Sequence, residues 1–373
     1  MPATPGSKTH GAFTIPSLDG LRAIAVLTVF VGHSAAGIGT GFWPGHVGVT
    51  IFFFLSGYLI TTLLRREYES AGRISLSRFY LRRALRILPP AYLAIAVAVV
   101  VGALGWVSAT TTGWGVLAEV LNYTNYYIVF AGREGLPPDT TQFWSLAVEE
   151  HYYLVVPIVL LVLFRKKASR QTIGWWLLGI AFVVPVWRIV LGLSGASFDR
   201  LYISTDTRID SLLFGTAVAL LLNPALGDSL RVPGNLATFV KKRIGMLAGL
   251  ATIVFIASAL VPSQMFRLSI ADTVQCLCLI PIFWFVITRP SSLVGRVLNS
   301  RIAIRLGILS FSIYLFHRLA LNLVENVIET PYLGDLIALA VTLVVAQIVY
   351  WLVEKPCGRL RRRLEGSMKA RAA

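Results

Sequence analysis

Charged residues are scarce in this chain of 373 residues, making up 14% of it, whereas an ordinary soluble domain carries roughly 25%. Hydrophobic residues make up 56%. So large an apolar excess has to face something other than water. The composition therefore excludes an ordinary soluble protein and indicates a membrane protein.

Cysteine is also scarce, with three in the whole chain. Cys276 and Cys278 lie two residues apart in an apolar segment, where a helix points them in different directions. Cys357 lies in the basic segment near the C-terminus. This spacing provides neither a disulfide framework nor a metal site, so we expect no metal.

Long apolar segments, by contrast, occur along the whole chain. Stretches of about 20 mostly apolar residues can cross a bilayer as helices, and lipid admits only helices or closed barrels. The segments are continuous rather than alternating, which selects helices. We predict an all-α polytopic bundle of about ten transmembrane helices, near residues 15–38, 47–64, 89–108, 143–164, 172–193, 207–223, 244–261, 270–287, 306–326 and 334–353.

Acidic residues number 18 against 34 basic ones, which gives a net charge of +16. Every second connection between the predicted helices is basic: together with Lys8, the segments 65–86, 165–170, 231–243, 289–305 and 354–373 hold 27 of the 34. The opposite connections hold only Arg133, Arg200 and Arg267. The positive-inside rule therefore predicts cytoplasmic termini. The charge indicates topology rather than nucleic-acid binding.

The segment Trp114–Phe130 does not fit this alternation. It is apolar enough to cross the membrane, but counting it would reverse the orientation of every later connection. We predict instead a re-entrant or interfacial segment on the outer side, with the polar residues 122–126 in the wall of a cavity.

Signs of further domains are absent from the sequence as well. It shows no internal repeat, no appended soluble segment and no cleavage site after a short apolar core near its start. We expect one membrane domain over residues 15–353, between a cytoplasmic tail of residues 1–14 and a basic cytoplasmic tail of residues 354–373.

Among the ionisable residues of the predicted helices, we single out ten. A charged side chain at the bilayer centre costs about 2.5–3.5 kcal/mol, so such residues are functional candidates by default. They are Arg22, His33, Glu149, Glu150, His151, Arg188, Arg208, Asp210, His317 and Arg318. The alternating topology places His33, the Glu149–Glu150 pair and Arg208 at a similar depth toward the outer side.

Arg22 and His33 lie 11 residues apart on the first predicted helix. At about 100° and 1.5 Å per residue they share nearly one face and lie about 16 Å apart along the axis. This arrangement would suit a long substrate whose phosphates meet the arginine and whose reactive end meets the histidine.

Structural explanations compete with several of these functional ones. Arg22 could simply extend to the inner interface. A lone histidine such as His317 is more often a helix–helix hydrogen bond than a catalyst. Arg208 and Asp210 could form a mutual ion pair with no further role, and Arg188 is taken as structural.

The first basic connection contains an amphipathic segment. Arg78, Arg82 and Arg86 are spaced by four and share a helical face. Anchoring to anionic lipid explains such a helix adequately. A phosphate clamp is the sharper hypothesis, since arginine binds phosphate bidentately.

Seven short motifs follow one another along the chain. They are SLDGLRAIA at 17–25 followed by His33, FFFLSGYLI at 52–60, RFYLRRALR at 78–86 followed by Pro89, FWSLAVEE at 143–150 followed by Tyr152 and Tyr153, RIDSLLFG at 208–215, SFSIYLFH at 310–317 and EKP at 354–356. Each match is weak alone. Together and in this order, they resemble the acyltransferase-3 family of multispan membrane O-acyltransferases.

The resemblance implies a ten-span domain of the bacterial inner membrane that transfers an acyl group, expected to be acetyl, from cytoplasmic acyl-CoA to a hydroxyl. Family acceptors are surface carbohydrates or sugars on secreted small molecules. Longer members carry an esterase-like extracytoplasmic domain. This chain ends about 20 residues after its last predicted span, so it would transfer directly or use a separate partner. Arg318 departs from the family pattern, which leaves the role of His317 open.

The resemblance also implies roles for individual residues. His33 would be the general base, with Glu149 or Glu150 orienting it or holding the acceptor; a covalent acyl-histidine stays open. Five arginines would bind the donor: Arg22, Arg78, Arg82, Arg83 and Arg86. Eight residues would bind the acceptor or stabilise the developing oxyanion: Asp19, Ser56, Tyr58, Trp144, Ser145, Arg208, Asp210 and His317.

Two other function classes stay open. A transporter or flippase of a glycan or lipid-linked substrate would use His33, Glu149 and Asp210 as a proton relay, but the inverted repeats common in such proteins are not evident. A non-catalytic membrane scaffold would have no use for costly intramembrane charges.

Overall fold

Helices form nearly all the regular structure of the chain, and no strand occurs in the residues that the computed structural model describes, 14–35, 37, 45–228 and 234–370. In chain order the helices are α1 (Leu18–His33), α2 (His46–Ala71), α3 (Leu76–Ala103), α4 (Gly113–Val120), α5 (Thr124–Ala131), α6 (Trp144–Arg165), α7 (Arg170–Leu193), α8 (Phe198–Tyr202), α9 (Thr205–Leu221), α10 (Gly234–Leu260), α11 (Gln264–Ser269), α12 (Ala271–Thr288), α13 (Leu293–Leu298), α14 (Arg301–Glu325), α15 (Pro331–Val349) and α16 (Lys355–Ala370). A π-helical turn, Tyr350–Glu354, joins α15 to α16.

Nine helices within the described residues are long and apolar enough to cross a membrane: α2, α3, α6, α7, α9, α10, α12, α14 and α15. The predicted all-α polytopic bundle is thereby confirmed. The predicted first span, 15–38, corresponds to α1 with 16 residues, and its positions 36 and 38 lie outside the described residues. Helix α1 packs between α14 and α2.

Helix α3 differs from the prediction. The amphipathic segment Arg78–Arg86 and the third span form one helix of 28 residues that runs through Pro89 and Pro90. Each proline removes a main-chain donor, yet helices buried in a membrane bundle tolerate this where neighbours satisfy the freed groups. The basic residues are therefore rigidly continuous with the span, and α16 packs against the same helix.

The segment Trp114–Phe130 forms two short helices, α4 and α5. Each has eight residues and is about 12 Å long, too short to cross a bilayer. Asn122, between them, adopts a φ of 56°, which breaks the helix. The prediction that this segment does not span the membrane is confirmed.

Helices α2 and α9 cross at two glycines. A Cβ on Gly57 would collide with the main-chain oxygen of Leu212, and a Cβ on Gly215 with that of Phe54. Small residues let backbones approach closely in a membrane, where packing holds helices together. The crossing also fixes Ser56, which bonds to α6.

A buried ion-pair network joins α7, α9 and α12. Arg188 is fully buried and donates to Asp210 at 2.7 Å and to Asp272 at 3.2 Å. Arg208 donates to the same Asp272. Within the described chain, then, Arg208 and Asp210 do not form the mutual pair weighed above. Residues two apart on a helix point about 200° apart, which separates these two side chains.

Candidate functional site

Two cavities enter the helix bundle. The first, here called the Arg22 cavity, lies between α1, α2, α3, α6 and α14 and spans about 740 Å³, open solvent at its mouth included. Its polar lining consists of Arg22, Ser56, Arg83, Arg86, Ser145, Glu149, Tyr153, Ser310 and Tyr314. It therefore combines three guanidinium groups with one carboxylate.

The second cavity, here called the His33 cavity, spans about 1270 Å³, open solvent at its mouth included. Its ionisable and aromatic lining consists of His33, His46, Arg133, Trp144, Phe198, Tyr202, Arg267, Tyr314 and Arg318. No Asp or Glu of the described chain lines it.

A shared wall lies between the two cavities. Val49 of α2 and Tyr314 of α14 line both of them. The Tyr314 hydroxyl lies 2.6 Å from the Ser145 hydroxyl, which fixes the ring. Arg22 and His33 lie on α1, about 16 Å apart along its axis, so the two cavities occupy successive depths along this helix.

His33 and His317 form a pair of imidazoles where α1 meets α14. Nε2 of His317 lies 3.2 Å from Nδ1 of His33. Nδ1 of His317 lies 2.7 Å from the main-chain oxygen of Tyr314, and Nδ1 of His33 lies 2.9 Å from that of Val29. His317 is buried, whereas His33 reaches the cavity.

These contacts determine which nitrogens carry hydrogen. A carbonyl oxygen can only accept, so Nδ1 of each neutral ring is the protonated nitrogen. The Nδ1–H of His33 is then shared between the Val29 oxygen and Nε2 of His317. Nε2 of His33 keeps a lone pair, and it makes no hydrogen bond to any described residue. It is available to take a proton from a group in the His33 cavity.

The two neighbouring glutamates face different surroundings. Glu149 lines the Arg22 cavity, where it accepts hydrogen bonds from Ser56 and, at 2.9 Å, from Tyr153. Glu150 lines neither cavity, and its Oε1 is buried without a hydrogen bond in the described chain. No described contact joins either carboxylate to His33. The side chain that contacts the His33 ring is His317.

The five candidate donor-binding arginines separate into two groups. Arg22, Arg83 and Arg86 line the Arg22 cavity. Arg78 and Arg82 instead donate to Glu67, at 2.9 and 3.4 Å. Positions 83 and 86 are three residues apart and share a face of α3. Of the three arginines spaced by four, only Arg86 lines the cavity.

The remaining candidates are dispersed. Trp144 lines the His33 cavity, while Ser56 and Ser145 line the Arg22 cavity. Asp19 pairs with Arg22 at 2.8 Å. Tyr58 is fully buried and donates to Asn223 at 2.5 Å. Tyr58 and Asp210 line neither cavity; both contribute hydrogen bonds that hold helices together.

Comparison with known proteins decides the family. A family model described as an acyltransferase domain matches residues 15–351. The chain belongs to this acyltransferase family. The family resemblance of the seven motifs is thereby confirmed.

Relatives in this acyltransferase family have the following identities. The chain is 29% identical to the peptidoglycan O-acetyltransferase OatA of Listeria monocytogenes, over 92% of the chain and 55% of that protein. It is 31% identical to YrhL of Bacillus subtilis, provisionally named a peptidoglycan O-acetyltransferase, over 94% of the chain and 56% of that protein. A provisionally named O-acetyltransferase of Staphylococcus aureus is 27% identical, over 92% and 57%. The chain thus spans little more than half the length of these relatives. No solved structure matches it.

Three residues have structural roles that the sequence analysis did not assign to them. Tyr314 forms the wall between the cavities, although nothing in the sequence distinguishes it from other buried tyrosines. Tyr153 lies four residues after Glu149, and helical spacing alone would have paired them. Asp272 is the only acid in the apolar segment 270–287, and its position inside a predicted helix is the signal that identifies it. No group of three or more His, Cys, Asp or Glu side chains in the described chain could hold a metal ion.

Proposed function

We propose that this acyltransferase transfers an acetyl group from acyl-CoA to a hydroxyl of a carbohydrate acceptor, with His33 as the general base. The observation that carries the proposal is the paired arrangement of the cavities. An arginine-lined cavity and a histidine-lined cavity meet at one wall, and the histidine in the second presents a free lone pair.

The Arg22 cavity would bind the donor. The phosphates of a coenzyme A thioester require several cationic groups, and guanidinium groups bind phosphate oxygens bidentately. Arg22, Arg83 and Arg86 supply three of them at one entrance. The excess of basic residues in the same connections predicts that this entrance opens to the cytoplasm. The pantetheine arm would then extend along α1 toward Tyr314 and His33.

The chemistry follows from the His33 lone pair. Nε2 of His33 takes the proton of the acceptor hydroxyl as its oxygen attacks the thioester carbonyl carbon. A carbon–oxygen bond forms, the carbon–sulfur bond breaks, and the proton passes from His33 to the departing thiolate. Proton transfer by a positioned side chain is typically worth about 10²–10⁴ in rate.

His317 would support this step as a positioning residue. When His33 becomes an imidazolium, its Nδ1–H still donates to Val29 and to the lone pair on Nε2 of His317. Both bonds hold the ring in one orientation and stabilise the positive charge. Glu149 would act elsewhere, beside the arginines of the donor cavity, through its contacts with Ser56 and Tyr153.

The acceptor would be a carbohydrate because the relatives whose names specify a substrate act on peptidoglycan. It would enter the His33 cavity, where Trp144 and Tyr202 offer aromatic surfaces for a sugar ring.

The test compares purified wild type with His33→Gln and, as a control, His151→Gln. His151 bonds to Thr205 and lines neither cavity. Binding of acetyl-CoA is measured by calorimetry, and thiol release is followed spectroscopically. We expect all three proteins to bind the donor with equal affinity, and His33→Gln alone to lose about 10²–10⁴-fold in thiol release.

Two results would count against the proposal. If folded wild type binds no acyl-CoA, the donor assignment fails, and a transporter using the intramembrane charges becomes the better explanation. If His33→Gln releases thiol as fast as the control, the protein has a different base.

A further inference from the structure

The His33 cavity is basic although it lies at the end of the bundle where basic residues are rare. The connections predicted to face away from the cytoplasm hold only Arg133, Arg200 and Arg267. Arg133 and Arg267 both line the cavity, and Arg318, from within α14, lines it too. His33 and His46 add two imidazoles, and no carboxylate of the described residues joins them.

These positive charges are only partly neutralised by neighbours. Arg133 pairs with Asp199 at 2.5 Å, and Arg318 lies 3.9 Å from Asp139. Arg267, in the described part of the chain, has no ion pair or hydrogen bond from its side chain and is exposed. Nε2 of His46 is buried without a hydrogen-bond partner among the described residues. The cavity therefore contains cationic and donor groups that the protein itself leaves unsatisfied.

A further buried cation lies directly behind the cavity lining. The guanidinium carbon of Arg208 lies 5.4 Å from the ring centre of Tyr202 and 5.8 Å from that of Trp144. Both rings line the cavity. Arg208 is 1% exposed, and its Nε and Nη2 make no hydrogen bond to any described group. Its charge is compensated by Asp272 on one side only.

We infer that the His33 cavity selects an anionic carbohydrate, one that carries a carboxylate or a phosphate, as its acceptor. Arg267 is a cation without a protein partner, and an anionic group on the sugar would pair with it. The same group would accept a hydrogen bond from His46 when its buried Nε2 carries the hydrogen, and a buried donor without a partner costs free energy. The anion would anchor the sugar while one of its hydroxyl groups faces Nε2 of His33. This inference rests on the proposed function for the acceptor role, but binding can be tested without any donor.

The test uses two matched pairs of probes. Trigalacturonate is compared with its methyl ester, which has the same sugar backbone but no charge, and phosphorylated maltotriose is compared with maltotriose. Affinities are measured by calorimetry with wild type, Arg267→Gln and Arg200→Gln. Arg200 is the matched control, because it pairs with Asp206 at 2.9 and 2.5 Å and lines neither cavity.

We expect wild type to bind at least one charged probe about tenfold more tightly than its neutral partner, and Arg267→Gln to lose that preference. Arg200→Gln should retain it. A variant in the other cavity, Arg83→Gln, should also retain it, which excludes binding among the donor arginines. If the cavity selects a carboxylate, the preference should appear with trigalacturonate. If it selects a phosphate, the preference should appear with the phosphorylated trisaccharide.

Equal affinity for charged and neutral probes in both pairs overturns the inference. So does a preference that survives in Arg267→Gln or disappears in Arg83→Gln. Failure of the proposed function would look different: thiol release would be absent or independent of His33, whatever the probes show.

Discussion

The two cavities carry the same sign of charge but are built differently. The Arg22 cavity sets a carboxylate, Glu149, among its guanidinium groups and ties it to Ser56 and Tyr153. The His33 cavity has no described carboxylate in its lining, and its reactive group is tied to another imidazole. The difference suggests that one cavity holds a charged substrate still while the other leaves a base free to accept a proton.

The largest expected effect is the loss of turnover without loss of donor binding when His317 is replaced. Replacing it by leucine removes the acceptor for the Nδ1–H of His33, so kcat for thiol release should fall about 10²-fold. The affinity for acetyl-CoA should not change, because His317 lies outside the donor cavity. His317→Asn, whose side-chain oxygen can accept the same bond, should recover part of the rate. A fall in donor affinity, or no rescue by asparagine, would indicate a purely structural role.

A smaller effect should separate neighbouring arginines of α3. Arg83→Gln removes a charged donor from the Arg22 cavity and should weaken acetyl-CoA binding about tenfold. Arg82→Gln should change it little, since Arg82 donates to Glu67 and Glu365. Calorimetry on both variants measures the difference. If both variants lose the same affinity for acetyl-CoA, Arg82 also takes part in donor binding, and the phosphate clamp is not confined to the arginines that line the cavity.

The smallest effect on activity should come from a site remote from both cavities. Asp228 accepts bonds from Arg65 at 2.6 Å and from Arg170 at 3.0 Å. Asp228→Asn should cost about 2–3 kcal/mol of stability, because Arg65 is buried and loses its main partner. Glu69→Gln, which affects the same arginine from an exposed position, should cost less than about 1 kcal/mol. Thermal unfolding in detergent measures both, and both cavities should keep their relative affinities.

The same carboxylate predicts a dependence of stability on pH. Burial opposes the ionisation of Asp228, but hydrogen bonds from Arg65 and from the main chain of Asn223 outweigh it, so its pKa is lowered. A lowered pKa in the folded state stabilises the protein above the ordinary aspartate value, and this contribution is lost as the pH falls below about 4. The melting temperature of wild type should drop more steeply there than that of Asp228→Asn. Parallel curves would show that another group controls acid unfolding.

The helices could be predicted from apolar segments and residue spacing, because each helix depends on residues that are close in the chain. Continuous apolar segments located nine spans, although α2, α3 and α10 extend well beyond their predicted bounds at one end, and the topology argument excluded 114–130. The 11-residue spacing of Arg22 and His33 placed them along one helix, where the structure puts one in each cavity.

The same patterns could not predict contacts between helices that are far apart in the chain. His33 and His317 are 284 residues apart, and no local pattern specifies that α1 and α14 meet there. The assignment of Arg83 to the cavity and Arg82 to Glu67 depends on the rotation of α3 about its axis, which the distribution of arginines left open. The partner of Asp210 was missed for a related reason, because Arg188 lies on a separate helix.

The wall formed by Val49 and Tyr314 has an electrical consequence. If the cavities open to opposite sides of the membrane, as the charge distribution predicts, water approaches this wall from both sides and most of the membrane voltage falls across it. Moving one elementary charge through 100 mV changes its free energy by about 2.3 kcal/mol. In the proposed step the acetyl group leaves the sulfur without its electron pair, while the proton of the acceptor passes the other way to the thiolate. The exchange therefore moves no net charge past this point, and the phosphates of the carrier remain on the side where they bind. Transfer through such a wall would proceed at the same rate in energised and depolarised membranes.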